Sequence, residues 1–296
     1  MAVVIESLAK QSLEKHFWNW QGHQICYTTA GAGQPIVLIH GFGASIGHWR
    51  KNIPVLAAAG YQVYALDLLG LGASDKPLVP YSVELWQALL SDFYQTHINT
   101  PAIWVGNSIG GLLALSMLAD FPEMAQGGVL LNAAGGLSHR PDELNLPLRL
   151  MMGAFNQAVR SPFGALVFNQ VRRKSNIRRS LRQVYRDAAA VTDELVDMLY
   201  EPSCHPGAAK VFASIITAPP GPSPIELLPK VKSPLLVIWG EADPWTPIDG
   251  AKVYQEFAQQ HPVKVVGIPD TGHCPHDERP EAVNALILEW LEELNS

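Results

Sequence analysis

Charge is scarce in this chain. Asp, Glu, Lys and Arg together make up 16% of the 296 residues, against roughly 25% in an average soluble protein. With 48% hydrophobic residues, that deficit predicts a large core together with a sizeable apolar pocket or apolar surface. The net charge of −6 gives the molecule as a whole no electrostatic attraction to nucleic acid. Cysteine is nearly absent. Cys26, Cys204 and Cys274 cannot build a disulfide framework, and a reducing, cytoplasmic setting is the simplest expectation. No run approaches the ~18 uninterrupted apolar residues of a membrane span. The N-terminal MAVVIESLAKQSLEKHF mixes two glutamates and two lysines and has no apolar stretch of secretory type. Internal repeats and low-complexity segments are missing too.

What is present is an alternation of short apolar runs and helical spacings. His23–Tyr27, Pro35–Ile39 (PIVLI), Tyr61–Leu66 (YQVYAL), Ala102–Val105 and Gly128–Leu131 read as strands. The continuous apolar ones suit a parallel sheet covered on both faces. Ser82–Thr96 has helical spacing behind a Ser82 N-cap, with Glu84 in the first turn, and Ile109–Asp120 reads as an apolar helix. After a long interval the alternation resumes with the strand Pro234–Trp239 (PLLVIW), the helix Asp249–Gln260, the strand Val263–Ile268 and the amphipathic helix Pro280–Leu294. This predicts an α/β fold with a mostly parallel sheet flanked by helices. The interval, Gly136–Ser223, is rich in arginine, punctuated by proline, and reads as helices without strands. It divides the chain into a first core part at residues 1–135, an inserted helical cap (lid) at 136–223 and a second core part at 224–296, with the run PPGPSP at Pro219–Pro224 marking the cap's exit.

Gly106-Asn107-Ser108-Ile109-Gly110 follows the strand AIWV and opens a helix, the context of a G-x-S-x-G nucleophile elbow. The helix N-terminus aims backbone N–H groups at a developing oxyanion. A tight glycine turn with an incidental serine is the competing reading. His40-Gly41-Phe42-Gly43 follows the strand PIVLI, where the second half of an oxyanion hole belongs, so the N–H groups of Phe42 and Ile109 would face one carbonyl oxygen. A nucleotide-binding glycine loop is disfavoured there, because Ile46 stands where the third glycine of G-x-G-x-x-G would fall.

A serine nucleophile needs a base, and the base needs an orienting carboxylate. Asp243 lies just beyond PLLVIW and His273 just beyond VKVVGI, both at the strand ends where parallel sheets place their sites. Their chain order with the serine, Ser–Asp–His, matches the elbow motif. The candidate catalytic residues are therefore Ser108, Asp243 and His273, with Phe42 and Ile109 as the oxyanion hole and Glu241 as a stand-in acid. His273, Cys274 and His276 have the look of a metal cluster, but the first is already claimed and no second cluster completes it. Neither a metal nor a cofactor is expected. Asp67 is read as holding the glycine turn of LDLLGLGAS, His40 as supporting the oxyanion loop, and Cys204-His205 as incidental.

With HGFG, GNSIGG, WGEADPWTP and TGHCPHDERP together, the chain resembles the α/β-hydrolase superfamily over nearly its whole length. The cap segments LRQVYRDAAAVTDELVDMLYEP, GAAKVFASI and APPGPSP are similar to those of the capped serine hydrolases of plants and cyanobacteria that include pheophytinase and chlorophyll dephytylases. The resemblance implies that the family's nucleophile, acid and base fall on Ser108, Asp243 and His273. It also implies an ester substrate with a large apolar alcohol or acyl group, such as a phytyl ester of a chlorophyll derivative. The sequence looks close to haloalkane dehalogenases and epoxide hydrolases as well, but those carry an aspartate at the elbow, and Ser108 suits acyl transfer instead. Carbon–carbon bond hydrolysis or cofactor-free peroxidation on the same triad stays open, as does a slow-turnover ligand receptor. Finally, Arg172, Arg173, Lys174, Arg178, Arg179, Arg182 and Arg186 crowd one stretch of the cap behind the largely apolar Leu148–Val171. These cations are either solvated or paired with acids such as Asp187, Glu194 and Asp197, or they form a docking surface for anionic lipid and give peripheral membrane contact.

Overall fold

The computed structural model describes residues 14–138, 146–161 and 163–296; the first thirteen residues, read above as non-secretory, lie outside them. Eight strands form one sheet in the order β1-β2-β4-β3-β5-β6-β7-β8. They are β1 (His16–Trp20), β2 (His23–Ala30), β3 (Gln34–Ile39), β4 (Tyr61–Leu66), β5 (Ala102–Asn107), β6 (Ala125–Leu131), β7 (Leu235–Gly240) and β8 (Val263–Ile268). The pairings of β2 with β1 and with β4 are antiparallel, and every pairing from β4 to β8 is parallel. The fold is that of an α/β hydrolase, as the alternation predicts. The sequence reading omits β1, whose residues HFWNW alternate between half-buried and exposed before Trp20. An edge strand of that kind carries no apolar run to mark it.

Successive strand residues turn to opposite faces of the sheet, as the period of two requires. Ile36, Leu38, Ile103, Val105, Leu236 and Ile238 pack with α1 (Ile53–Ala58) on one face. Val37, Ile39, Trp104, Val237 and Trp239 pack on the other with α2 (Val83–His97) and α3 (Ile109–Asp120). Ser82 caps α2 by accepting the Leu85 N–H at 3.2 Å. No charged residue precedes Asp120 in α3, and its first eleven residues are buried, because it lies between the sheet on one side and neighbouring helices, α2 among them, on the other.

Between β6 and β7 the chain leaves the sheet and runs through α4 (Leu146–Arg160), α5 (Gly164–Val171), α6 (Lys174–Val184), α7 (Asp193–Ser203), α8 (Ala208–Ile216) and the short α9 (Pro224–Leu227). Within this insertion α5 packs on α8 and α6 on α7. Leu181, Val184, Tyr185, Leu195 and Val196 form a small core that also takes in Cys274 from the loop beyond β8. The helix expected over Asp249–Gln260 is instead a tight turn at Ile248–Ala251 followed by α10 (Lys252–Phe257); Gly250 in the first turn weakens a regular helical start. The chain closes with α11 (Pro275–Glu278) and α12 (Pro280–Leu294). The latter buries Val283, Ile287, Trp290 and Leu291 against the α1 face of the sheet, the i, i+4, i+7, i+8 stripe of an amphipathic helix. Among the described residues no helix is long and apolar enough to cross a membrane.

Candidate active site

Ser108 stands between β5 and α3 with φ 57° and ψ −120°, a conformation that costs a non-glycine residue roughly 1–3 kcal/mol. Close packing enforces it. A Cβ at Gly106 would overlap the Gly110 carbonyl, and one at Gly110 would overlap the Ile39 carbonyl, so both glycines of the motif are needed to bring helix, β5 and β3 together. Two backbone bonds fix the turn against β6 and the loop that follows it. Ser108 N donates to Leu131 O, and Ala134 N donates to Ser108 O, each at 3.0 Å.

The loop after β3 lies against this elbow, since a Cβ at Gly41 would come 3.3 Å from Ser108 Cβ. The N–H groups of Phe42 and Ile109 make no hydrogen bond among the described residues. His40 supports the loop as expected. Its Nδ1 lies 2.8 Å from Gly41 O, and its Nε2 accepts the Leu68 N–H at 3.1 Å. Those two bonds define a neutral ring, and burial lowers its pKa further than the nearby Asp67 raises it. Asp67 ties the loops together, accepting Ile46 N–H and Ala73 N–H, each at 2.7 Å.

Beyond β7 and β8 the structure brings Asp243 and His273 into contact, with Nδ1 2.6 Å from Oδ2. The carboxylate holds a proton on Nδ1 and leaves Nε2 as an acceptor. Asp243 also accepts from Trp245 N–H at 2.7 Å, from the Asn132 amide at 2.8 Å and from the Thr246 hydroxyl. Burial opposes ionisation of Asp243, but the hydrogen bond and charge of His273, with the Thr246 and Trp245 donors, outweigh it and keep the carboxyl below its usual range. Glu241, the alternative acid, is exposed and lies over Gly267 of β8.

Two asparagines complete the frame, and the sequence reading overlooks both. Asn132, buried and at φ 41°, accepts the Gly240 N–H at 2.8 Å while donating to Asp243. Asn107, beside the serine, donates to His273 O at 2.9 Å and to Leu131 O at 3.1 Å, which stitches the elbow to the histidine loop. The available signal was a polar residue ending an apolar strand, in AIWVGN and again in GVLLN.

Ser108 and His273 share a cavity of about 290 Å³ between the sheet edge and the insertion. Its walls are Gly41, Phe42 and Trp245 on the sheet side, and Phe168, Val171, Leu181, Leu199, Val211 and Phe212 from α5 to α8. Phe212 bridges the two sides, its ring centroid 5.8 Å from Phe42 and 5.2 Å from Phe168. Lys76 and Arg172 also line the cavity, and among the described residues no Asp or Glu does.

A second buried network lies beside the cavity. His48 Nε2 is 2.8 Å from the Tyr185 hydroxyl, which donates to Asp277 Oδ2 at 2.8 Å. Asp277 pairs with Arg50 at 2.9 Å and Lys51 at 3.0 Å. Burial alone would raise its pKa, but the charges of His48, Arg50 and Lys51 bring it down to about 2. His276 stacks on Trp49 at 4.2 Å and meets His48 edge-on at 4.6 Å. Both its ring nitrogens lack a partner among the described residues, and burial holds it neutral.

This architecture has counterparts among known proteins. The family model of the alpha/beta hydrolases matches residues 36–286, and the chain belongs to that family. It is 30% identical over 302 residues to the chloroplastic pheophytinase of Arabidopsis thaliana, an alignment that covers 88% of this chain and 62% of that protein. The chain thus spans less than two thirds of pheophytinase. It is 25% identical over 295 residues to the 2-hydroxy-6-oxo-6-(2'-aminophenyl)hexa-2,4-dienoic acid hydrolase of Metapseudomonas resinovorans, covering 97% of this chain and 94% of the other. The solved meta-cleavage product hydrolase of Pseudomonas fluorescens IP01 is 26% identical and superposes with a TM-score of 0.76 over 95% of this chain and 98% of its own.

Proposed function

We propose that this protein is a serine hydrolase that cleaves a carboxylic ester through an acyl-enzyme. One conjunction carries the proposal: a serine at φ 57° heads a helix, and it shares a cavity with a histidine whose Nδ1 is 2.6 Å from a buried carboxylate. His273 Nε2 takes the Ser108 proton as Oγ attacks the ester carbonyl. The Phe42 and Ile109 N–H groups hold the oxyanion, a contribution of about 3 kcal/mol per donor in such sites. His273 then gives its proton to the departing alcohol, and a water activated by the same nitrogen releases the acid from Ser108. Asp243 keeps the ring in the tautomer that this sequence of transfers requires. The helical insertion serves as the cap that closes the site.

The apolar walls of the cavity and the similarity to pheophytinase favour an ester with a long apolar group, such as a phytyl ester. Each buried methylene contributes about 0.8 kcal/mol, so the chain of such an alcohol supplies much of the binding. A second reading keeps the residues and changes the bond. Lys76 and Arg172, in a lining without carboxylates among the described residues, suit a substrate that carries an acid group, and one relative is named as a dienoic acid hydrolase. The test is turnover of a panel running from short nitrophenyl esters to phytylated pigments, with 2-hydroxy-6-oxo-dienoates beside them, after titration of active serine with a fluorophosphonate. Repeated turnover of esters is expected. Turnover of dienoates alone would overturn the ester assignment, and a single turnover followed by lasting occupancy would make the protein a receptor.

A further inference from the structure

The helices over the cavity carry an uncovered surface. Among the described residues twelve large hydrophobic side chains are exposed, and six of them fall between residues 146 and 171. Leu146, Leu150, Met151, Phe163 and Leu166 are each at least 60% exposed, and Val171 is 39% exposed. On α4 the exposed positions Leu146, Leu150, Ala154 and Ala158 follow one another at single-turn spacing without a charge. On α5 the neighbouring Phe168 is buried against Phe212 while Leu166 faces out. Apolar side chains concentrated in this way on a soluble surface mark an interaction site.

The adjoining α6 sorts its side chains by face. Ile177, Leu181 and Val184 line the cavity. Lys174 and Arg178 turn to α7, where Lys174 meets Asp197 at 2.6 Å and Arg178 pairs with Asp193. The remaining face holds Arg179 and Arg182, at i and i+3, and Arg186 follows two residues beyond the helix end. All three are exposed, and none has an ion-pair or side-chain hydrogen-bond partner among the described residues. A protein of net charge −6 thus gathers unpaired positive charge on the helix that packs against α5. Val171 and Arg172 both line the cavity, and Val171 is also exposed, so the cavity reaches the surface at the junction of α5 and α6.

We propose that this face docks on a bilayer containing anionic lipid. The side chains of α4 and α5 enter the boundary between headgroups and acyl chains, and Arg179, Arg182 and Arg186 meet the lipid phosphates. An amphipathic surface with this division of residues is the kind that lies in a membrane interface. Two-fold pairing with a second copy is disfavoured, because it would set the same arginine face against itself. An apolar substrate held in the bilayer would enter at Val171 without crossing water.

The test is vesicle flotation of Ser108→Ala protein, so that binding is read independently of any chemistry. Phosphatidylcholine vesicles are compared with an equimolar mixture of phosphatidylcholine and phosphatidylglycerol, at low and high salt. Binding to the anionic vesicles at low salt is expected. Each cation near such a surface raises partitioning about five-fold (~1 kcal/mol), so the combined Arg179→Gln, Arg182→Gln and Arg186→Gln variant should bind on the order of 100-fold more weakly. High salt, which shortens the screening length from ~10 Å at 0.1 M to ~3 Å at 1 M, should have a similar effect on wild type. A tryptophan at Phe163→Trp should shift its emission to the blue on anionic vesicles. Binding to neither vesicle, equal binding to both, or binding indifferent to the arginine variant would overturn the proposal. So would a dimer in sedimentation velocity that Phe163→Ser with Leu166→Ser converts to monomer, since the face would then serve a second copy.

Discussion

His48 offers the sharpest test of the buried network. Tyr185 donates its proton to Asp277, so its oxygen accepts from His48, and the neutral ring carries its proton on Nε2. Nδ1 has no hydrogen-bond partner among the described residues. A second proton would therefore sit on a buried N–H that faces no acceptor. Burial lowers the pKa to about 4, with Asp277 opposing the shift and Arg50 adding to it. An unfolded histidine titrates near ~6.5, so as pH falls the unfolded chain takes the proton first and the folded state loses ground. This contribution to stability is whole above pH ~6.5 and is lost as pH falls from there toward 4, by about 3 kcal/mol in full and about 2 kcal/mol already at pH 5. The latter corresponds to a thermal midpoint lower by about 4–8 °C. His48→Gln keeps a donor for Tyr185 and removes the titration. Thermal unfolding at pH 7 and pH 5 should show wild type losing that much more than the variant on acidification. His40 and His276 are also held neutral by burial and contribute to both proteins. Superimposable pH dependences would refute the assignment of the proton and its cost.

Ser108→Ala should abolish fluorophosphonate labelling and leave only the roughly 10³–10⁴-fold advantage over water that binding and oxyanion contacts supply, with a thermal midpoint near wild type. Labelling that persists would place the nucleophile elsewhere. Asp243→Asn should lower kcat by about 10⁴-fold through the wrong histidine tautomer, and Glu241→Gln should change little; the reverse ranking in steady-state kinetics would reassign the acid. Asn132→Ala strands the Gly240 N–H and puts alanine at positive φ, which should cost about 2–4 kcal/mol in urea unfolding, and a loss below ~1 kcal/mol would show the frame to be dispensable.

The sequence exposed the parts of this molecule that physics repeats. Strands buried on both faces must be continuous apolar runs, so β3, β5 and β7 could be read directly, whereas β1, wet on one side, could not. Ser108, Asp243 and His273 were legible because each follows a strand and two of them sit in glycine-bounded turns. Asn132 and Asn107 were not, because their partners are backbone atoms more than twenty positions away, Gly240 and His273, and no local pattern encodes a bond of that reach. The arginines of α6 show the same limit. Their crowding was visible, but only the helix face each occupies separates Lys174 and Arg178, which meet acids, from Arg179 and Arg182, which meet none among the described residues.

The position of the helical insertion and the position of His273 are coupled. His273 N donates to the carbonyl of Val184, the last residue of α6, at 2.8 Å. Glu278 accepts from Gly272 N at 2.8 Å and from Asp187 N at 2.7 Å, and so bridges the histidine loop and the segment after α6. Arg279 meets Asp187 at 3.1 Å, and Tyr185 closes the set through His48 and Asp277. Asp243 fixes the rotation of the imidazole ring, but the backbone that carries the ring is fastened to the insertion as well as to the sheet. A displacement of α6 is passed to the proposed base chiefly through the Val184–His273 and Glu278–Gly272 bonds, which are buried and short. Whatever moves α6, whether a substrate entering beneath Leu181 or a surface pressing on Arg179 and Arg182 from outside, therefore acts on the distance between His273 and Ser108.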